Sequence, residues 1–292
     1  MNKQHKADLL LVTITAFWGF SYFLTDLCLS EMPPLCLNAF RFLIAFGLLA
    51  LIYFPKLRGI SRATLKYSVL VGLCLDGVYI FYVYGLMHTS MSNAAFVCAL
   101  PVITTPILEY FLFRKRLHRR LLLPLILCTA GLALLTLNDQ FRPALGDILC
   151  LGVAVFYGFD LVITDRAVHR SDVDPLQMGI CQLGVVGISM LILTLVLEQP
   201  KLPSTPAVWG GALCLAIFCS GICFVVQTVQ QQHTTASHVG LIFTLEPMFA
   251  AIVAFFAGER LGARGYVGAL LMMVSLILME LDWDTLKKRL RS

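Results

Sequence analysis

Apolar runs of roughly 20 residues recur along the whole of this chain, each about the length a helix needs to cross the hydrocarbon core of a bilayer. Of its 292 residues 59% are hydrophobic and only 13% charged. Soluble proteins carry closer to half apolar residues and about a quarter charged ones. Backbone polar groups in lipid must be satisfied within the segment that crosses. The expected fold class is therefore an all-α integral membrane protein, with no room left for a separate soluble domain. The first apolar run is too long for a cleaved signal peptide and lacks a small-residue cleavage site.

The runs predict ten transmembrane helices near 8–29, 34–54, 66–87, 92–113, 120–138, 144–164, 175–197, 207–230, 236–258 and 264–282. Turn-forming residues separate several of them, as at Pro33-Pro34, Asn138-Asp139, Asp172 to Pro175 and Pro200 to Pro206. Lys and Arg concentrate in cytoplasmic loops. Placing both termini in the cytoplasm puts Lys56 to Lys66, the cluster Arg114 to Arg120, Arg166, Arg170 and Lys287 to Arg291 on that side. Only Arg142, Lys201, Arg260 and Arg264 then fall outside, and Arg41 alone stays within a span. The expected location is the inner or plasma membrane, with both termini cytoplasmic. The net charge of +5 needs no nucleic-acid partner, because the basic residues sit where headgroups and topology hold them.

Two halves of the chain echo each other. Trp18 to Asp26, WGFSYFLTD, matches Tyr157 to Asp165, YGFDLVITD; Pro34-Leu35 followed by Arg41 matches Pro175-Leu176 followed by Gln182; Thr89 to Pro101 matches Thr235 to Pro247. The boundary falls between 1–139 and 140–292. Each copy holds five helices, an odd number, so the second must lie upside down relative to the first. Such inverted repeats are common in secondary transporters, with the substrate site near mid-membrane between the halves.

The segments WGFSYFLT, Pro34 to Arg41-Phe42, and Gln227 to Gln232 with the following HTTASHVGLIFTLEPMFAAIVAFFAGERL together resemble the EamA-type members of the drug/metabolite transporter superfamily. The resemblance covers essentially the whole chain, and its most specific part is LEP followed twelve residues later by GER. In the first copy Phe113-Arg114-Lys115-Arg116 stands where the family has an acid. The resemblance implies ten helices in two inverted halves and the movement of small metabolites, amino acids or amines; the substrate itself stays open.

Ionisable residues inside spans are functional candidates. Glu246 precedes Pro247 in the middle of an apolar run, which suggests a helix bordering a polar cavity; a kinked packing helix with a neutral Glu246 is the other reading. The first copy has Leu100 at that place. Asp76 and Tyr79, one turn apart, can share a cavity wall. Asp160 stands at the repeat position of Ser21. Trp18 and Tyr22 of the repeated motif, with Gln182 and Gln227, complete the candidate substrate-binding set. Asp76, His238 and Glu246 are candidates for a proton relay if transport is proton-coupled. Arg41 is expected to form a structural ion pair with Asp26, with recognition of a substrate carboxylate as the other reading, and Glu109 to pair with the nearby basic cluster.

Ten cysteines are scattered singly with no metal-ligand spacing, so no metal and no cofactor is expected; a Cys28 to Cys36 disulfide is an alternative to free thiols. An acid-rich, aromatic-lined cavity favours a substrate bearing an amine. The reading is thus a secondary transporter working by alternating access, with export of amino acids or related amines first. An importer or facilitator of another metabolite, or a channel or signalling scaffold, is the alternative. Neither HExxH nor Gly-x-Ser-x-Gly occurs, so no enzymatic activity is expected.

Overall fold

The computed structural model describes residues 3–114, 122–136, 144–258 and 262–280. Thirteen α-helices lie among them: α1 (Lys3–Leu29), α2 (Pro34–Ile52), α3 (Arg62–Leu86), α4 (Met91–Cys98), α5 (Pro101–Phe113), α6 (Leu122–Thr136), α7 (Leu145–Val168), α8 (Pro175–Leu197), α9 (Pro206–Cys214), α10 (Cys223–Gln231), α11 (Ala236–Phe243), α12 (Glu246–Phe256) and α13 (Ala263–Glu280). A π-helical stretch, Leu215–Ile222, joins α9 to α10.

Local chemistry sets many of these boundaries. Pro34, Pro101, Pro175 and Pro206 each begin a helix, at the position where a missing N–H costs nothing and a fixed φ is already helical. Ser61, Ser90, Asp174 and Thr205 cap α3, α4, α8 and α9 through backbone N–H groups.

Among the described residues, seven helical stretches are long and apolar enough to cross a membrane: Gln4–Leu29, Pro34–Ile52, Arg62–Leu86, Asn93–Leu112, Leu145–Val168, Pro175–Leu197 and Pro206–Gln231. Two of the expected spans are broken. The run near 92–113 divides into α4 and α5 at Ala99-Leu100, and that near 236–258 into α11 and α12 at Thr244-Leu245. Pro101 and Pro247 therefore do not kink continuous helices. Each lies in the first turn of a new one.

The bundle's outer surface is apolar, as at Leu51, Phe111, Val196 and Phe256, all more than 70% exposed, which suits a lipid surround. Inside, α3 packs along α7 and α8, α2 along α8, and α6 along α13. Several helix contacts recur when the two halves are exchanged. The α1–α12 contact corresponds to α7–α5, α1–α10 to α7–α3, and α4–α12 to α11–α5. Cys28 and Cys36 are both free thiols; they donate instead to the carbonyls of Val208 and Lys201.

Candidate functional site

The site is built where the repeated aromatic-glycine motifs meet the broken helices. A Cβ on Gly19 of α1 would lie 2.4 Å from the Phe249 Cβ and 3.0 Å from the Glu246 carbonyl oxygen of α12. Only a glycine lets the two backbones approach so closely. Gly158 of α7 does the same toward α5, where an added Cβ would meet the Thr104 hydroxyl at 2.7 Å. The residues before these glycines, Trp18 and Tyr157, then face each other edge to face at 6.3 Å.

Between them lies a cavity of about 50 Å³ lined by Trp18, Ser21 and Tyr22 of α1, Val78, Tyr79 and Tyr82 of α3, Cys98 of α4, Val153 and Tyr157 of α7, Phe224 of α10 and Glu246 of α12. Six helices from both halves of the chain thus converge on one carboxyl group among aromatic rings. Glu246 opens α12, so its charge stands at a helix N-terminus, where the dipole favours an anion. The Tyr22 hydroxyl is its hydrogen-bonding neighbour. The volume suffices for about four water molecules.

The rings hold one another. Trp18 packs on Phe224 at 5.2 Å and edge-on to Phe243 at 4.9 Å, Tyr22 meets Tyr82 at 5.2 Å, and Tyr79 meets Tyr82 and Phe224 at 6.0 Å. The π-helical stretch anchors the cluster. Its wider turn directs the Cys219 carbonyl to the Trp18 indole N–H at 2.9 Å and the Ser220 hydroxyl to the Arg41 Nε–H at 2.7 Å.

Of the expected substrate-binding residues, Trp18, Tyr22, Tyr79 and Glu246 line this cavity, whereas Asp76, Asp160, Gln182 and Gln227 do not. Asp76 turns from Tyr79 to the Ser189 hydroxyl of α8, which lies 2.7 and 2.6 Å from its two oxygens. Gln182 donates to Thr228 at 3.1 Å. Asp160 is 1% exposed and accepts from Gln227 at 3.3 Å. The expected Asp26–Arg41 ion pair is replaced by another arrangement: Asp26 is exposed, while Arg41 is buried, bonded to Ser220, with its guanidinium 4.9 Å from the Tyr79 ring centre. A cation over an aromatic face is favourable, and the packing of α2 on the π-helical stretch turns Arg41 inward. Tyr82, Tyr157 and Phe224 were not singled out by the sequence. Tyr157 was findable, because it stands at the repeat position of Trp18.

The family's sequence model, described as the EamA-like transporter family, matches residues 5–137 and again 144–281. The chain belongs to the EamA-like transporter family. A transporter of Archaeoglobus fulgidus named only as uncharacterized is 27% identical over 96% of this chain and 87% of its own. The uncharacterized transporter YyaM of Bacillus subtilis is 23% identical over 92% of each. A protein of Escherichia coli named a probable amino-acid metabolite efflux pump is 24% identical over 58% of this chain and 56% of its own. A solved crystal structure superposes with a TM-score of 0.70 over 99% of each chain at 18% identity, a likeness of fold.

In this EamA-like transporter, polar ties close the bundle at both ends. At the end holding the start of α1, His238 of α11 meets Asp8 at 3.1 Å, and Ser237 donates to Glu109 of α5 at 2.8 Å. His238 thus pairs at the helix ends rather than in the cavity. At the opposite end Glu31 accepts from the Ser204 N–H at 2.6 Å and from the Thr205 N–H and hydroxyl at 3.1 and 2.7 Å. The Thr205 hydroxyl, then the Ser204 N–H, draw the Glu31 carboxyl down to about 2. Glu198 likewise caps α2 at Leu35 and Cys36, at 3.1 and 2.9 Å.

Proposed function

We propose that this membrane protein is a secondary transporter of amino acids or related small amines, working by alternating access around the cavity at Glu246, with export the favoured direction. The observation that carries the reading is the single carboxyl among aromatic rings where six helices converge. A substrate ammonium can meet the carboxylate and the faces of Trp18 and Tyr157, both attractive to a cation in a water-poor site. The carboxyl also supplies a place for a proton when the amine is absent, which makes proton exchange for substrate chemically available.

The same reading assigns ten spans in two inverted five-helix halves, 1–139 and 140–292, in the plasma membrane with both termini cytoplasmic. The matched packing of the halves and the distribution of basic residues support it. The near-equivalence of the halves supplies two packings of similar energy, which alternating access requires. A cavity of about 50 Å³ is smaller than an amino acid, so binding one there requires the surrounding helices to shift. The E. coli relative's name agrees with amino-acid metabolites as the substrate class and with export as the direction.

Counterflow in proteoliposomes tests this. Vesicles preloaded with unlabelled amino acids or amines should accumulate the radiolabelled counterpart with saturation. Saturable transport of neutral sugars or organic anions, with none of amines or amino acids, would remove the amine reading.

A further inference from the structure

A second polar cluster lies outside the cavity, where α7 crosses α10. Asp160 and Thr164 stand one turn apart on α7, and Gln227 and Gln231 one turn apart on α10, so each pair presents one face. All four are at most 2% exposed. Their hydrogen bonds fix the orientation of both amides. Gln231 gives its NH₂ to the Leu161 carbonyl at 2.7 Å. Gln227 gives its NH₂ to Asp160 Oδ2 at 3.3 Å and accepts the Tyr157 hydroxyl on Oε1 at 3.3 Å.

What these bonds leave over is specific. Asp160 Oδ1, Thr164 Oγ1 and Gln231 Oε1 are buried without a partner. The Cys74 thiol of α3 and the Tyr157 phenol on its own helix are ionisable groups close enough to feel its charge; no salt bridge to it exists among the described residues. A bare carboxylate in such a place is costly, and adding acceptors around it does not help. One proton resolves the arrangement. On Oδ1 it turns the anion into a neutral acid and leaves Oδ2 free to go on accepting from Gln227.

We infer that Asp160 is a proton-binding site separate from the cavity, tied to it through the chain Tyr157, Gln227, Asp160. Loading forms the Oδ1–H bond with a proton taken from water, and release breaks that bond and returns the proton to water. The carboxylate left behind is tolerable only when α7 and α10 have parted enough to hydrate it. Tyr157 lines the cavity, so whatever displaces its hydroxyl there loosens Gln227 and with it Oδ2. This link rests on the transport reading; the protonation of Asp160 does not.

Infrared spectroscopy of the purified protein in lipid vesicles reads the proton without a substrate. Protein labelled with carboxyl-13C aspartate should show a protonated-carboxyl band displaced from its unlabelled position, retained in D76N and missing in D160N. Q227L and Y157F should each move the band, the first because Oδ2 loses its donor and the second because Gln227 loses its anchor. Absence of a labelled aspartic-acid band throughout a pH titration would overturn the proposal, a result that needs no variant to fold. So would a band unchanged in D160N. Loss of the band on replacing choline chloride by sodium chloride would make this a sodium site instead. A band that ignores Y157F would cut the link to the cavity. Counterflow remains a separate readout, so transport can stand if Asp160 fails.

Discussion

At Glu246 the transport reading rests on one side chain. Replacing it by Gln keeps size and hydrogen bonding but removes the charge-assisted bond to an ammonium, a contact worth about 1.5–3 kcal/mol. Glu246→Gln is expected to weaken binding of an amine substrate roughly tenfold to a hundredfold and to abolish the pH dependence of transport, measured by counterflow at varied pH. Unchanged pH dependence would take Glu246 out of any proton relay. Glu31 offers a second test, of stability. Its carboxyl is held near 2 against an ordinary 4.5. A depressed folded-state value means the stabilisation is complete above the ordinary value and disappears as pH falls toward the depressed one. Thermal midpoints of the native protein and Glu31→Gln should therefore differ at neutral pH and converge between about pH 5 and pH 2. A gap that persists in acid would show that the Ser204 and Thr205 contacts do not act through the carboxylate.

At the scale of elements, close helix contacts fix the cavity. A methyl at Gly19 would force α1 off α12, where the space is already filled by Phe249 and Ala250; overpacking of this kind costs about 1–3 kcal/mol. Gly47 of α2 has nothing within 4 Å, and alanine there should be neutral or stabilising by about 0.5–1 kcal/mol. Thermal unfolding of Gly19→Ala and Gly47→Ala should thus move in opposite directions, and a common direction would refute the packing argument. Trp18→Phe keeps an aromatic ring but removes the indole N–H bond to the Cys219 carbonyl, at a cost of about 0.5–1.5 kcal/mol, readable in the same assay. These contacts also mark the limit of what the chain disclosed before its fold was seen. The membrane class, the approximate helix positions, the echo of Trp18-Gly19 in Tyr157-Gly158 and the oddity of Glu246 were all legible, because each is a local property of sequence. The break at Thr244-Leu245, the π-helical stretch and the turning of Asp76 toward Ser189 were not. Lipid is as apolar as a packed leucine, so both faces of a membrane helix read alike and no stripe tells which one points inward.

Across the whole molecule, the burial of the cavity's lining makes accessibility a measure of state. Cys98 lines it and is 6% exposed, so its alkylation by a maleimide should be slow and slower still with a bound substrate. Asp8→Asn removes the charge that meets His238 and should speed that alkylation several-fold by loosening the end of the bundle where α1 begins. Peptide mass spectrometry distinguishes Cys98 from the other cysteines. No acceleration would mean that this contact does not help to hold the bundle closed.

The cavity takes its carboxyl from one half only: Glu246 stands in its wall at the head of α12, whereas Leu100, at the matching place before α5, is a hydrocarbon outside the lining. On the transport reading, a substrate passing the broken helix of the second half meets that acid, and one passing the broken helix of the first half does not. Half-saturation can therefore differ between the two faces of the membrane. Detailed balance nevertheless requires an uncoupled carrier of a neutral solute to show equal ratios of maximal rate to half-saturation in both directions. Any departure from that equality under a proton gradient measures how much of the gradient's work reaches the solute.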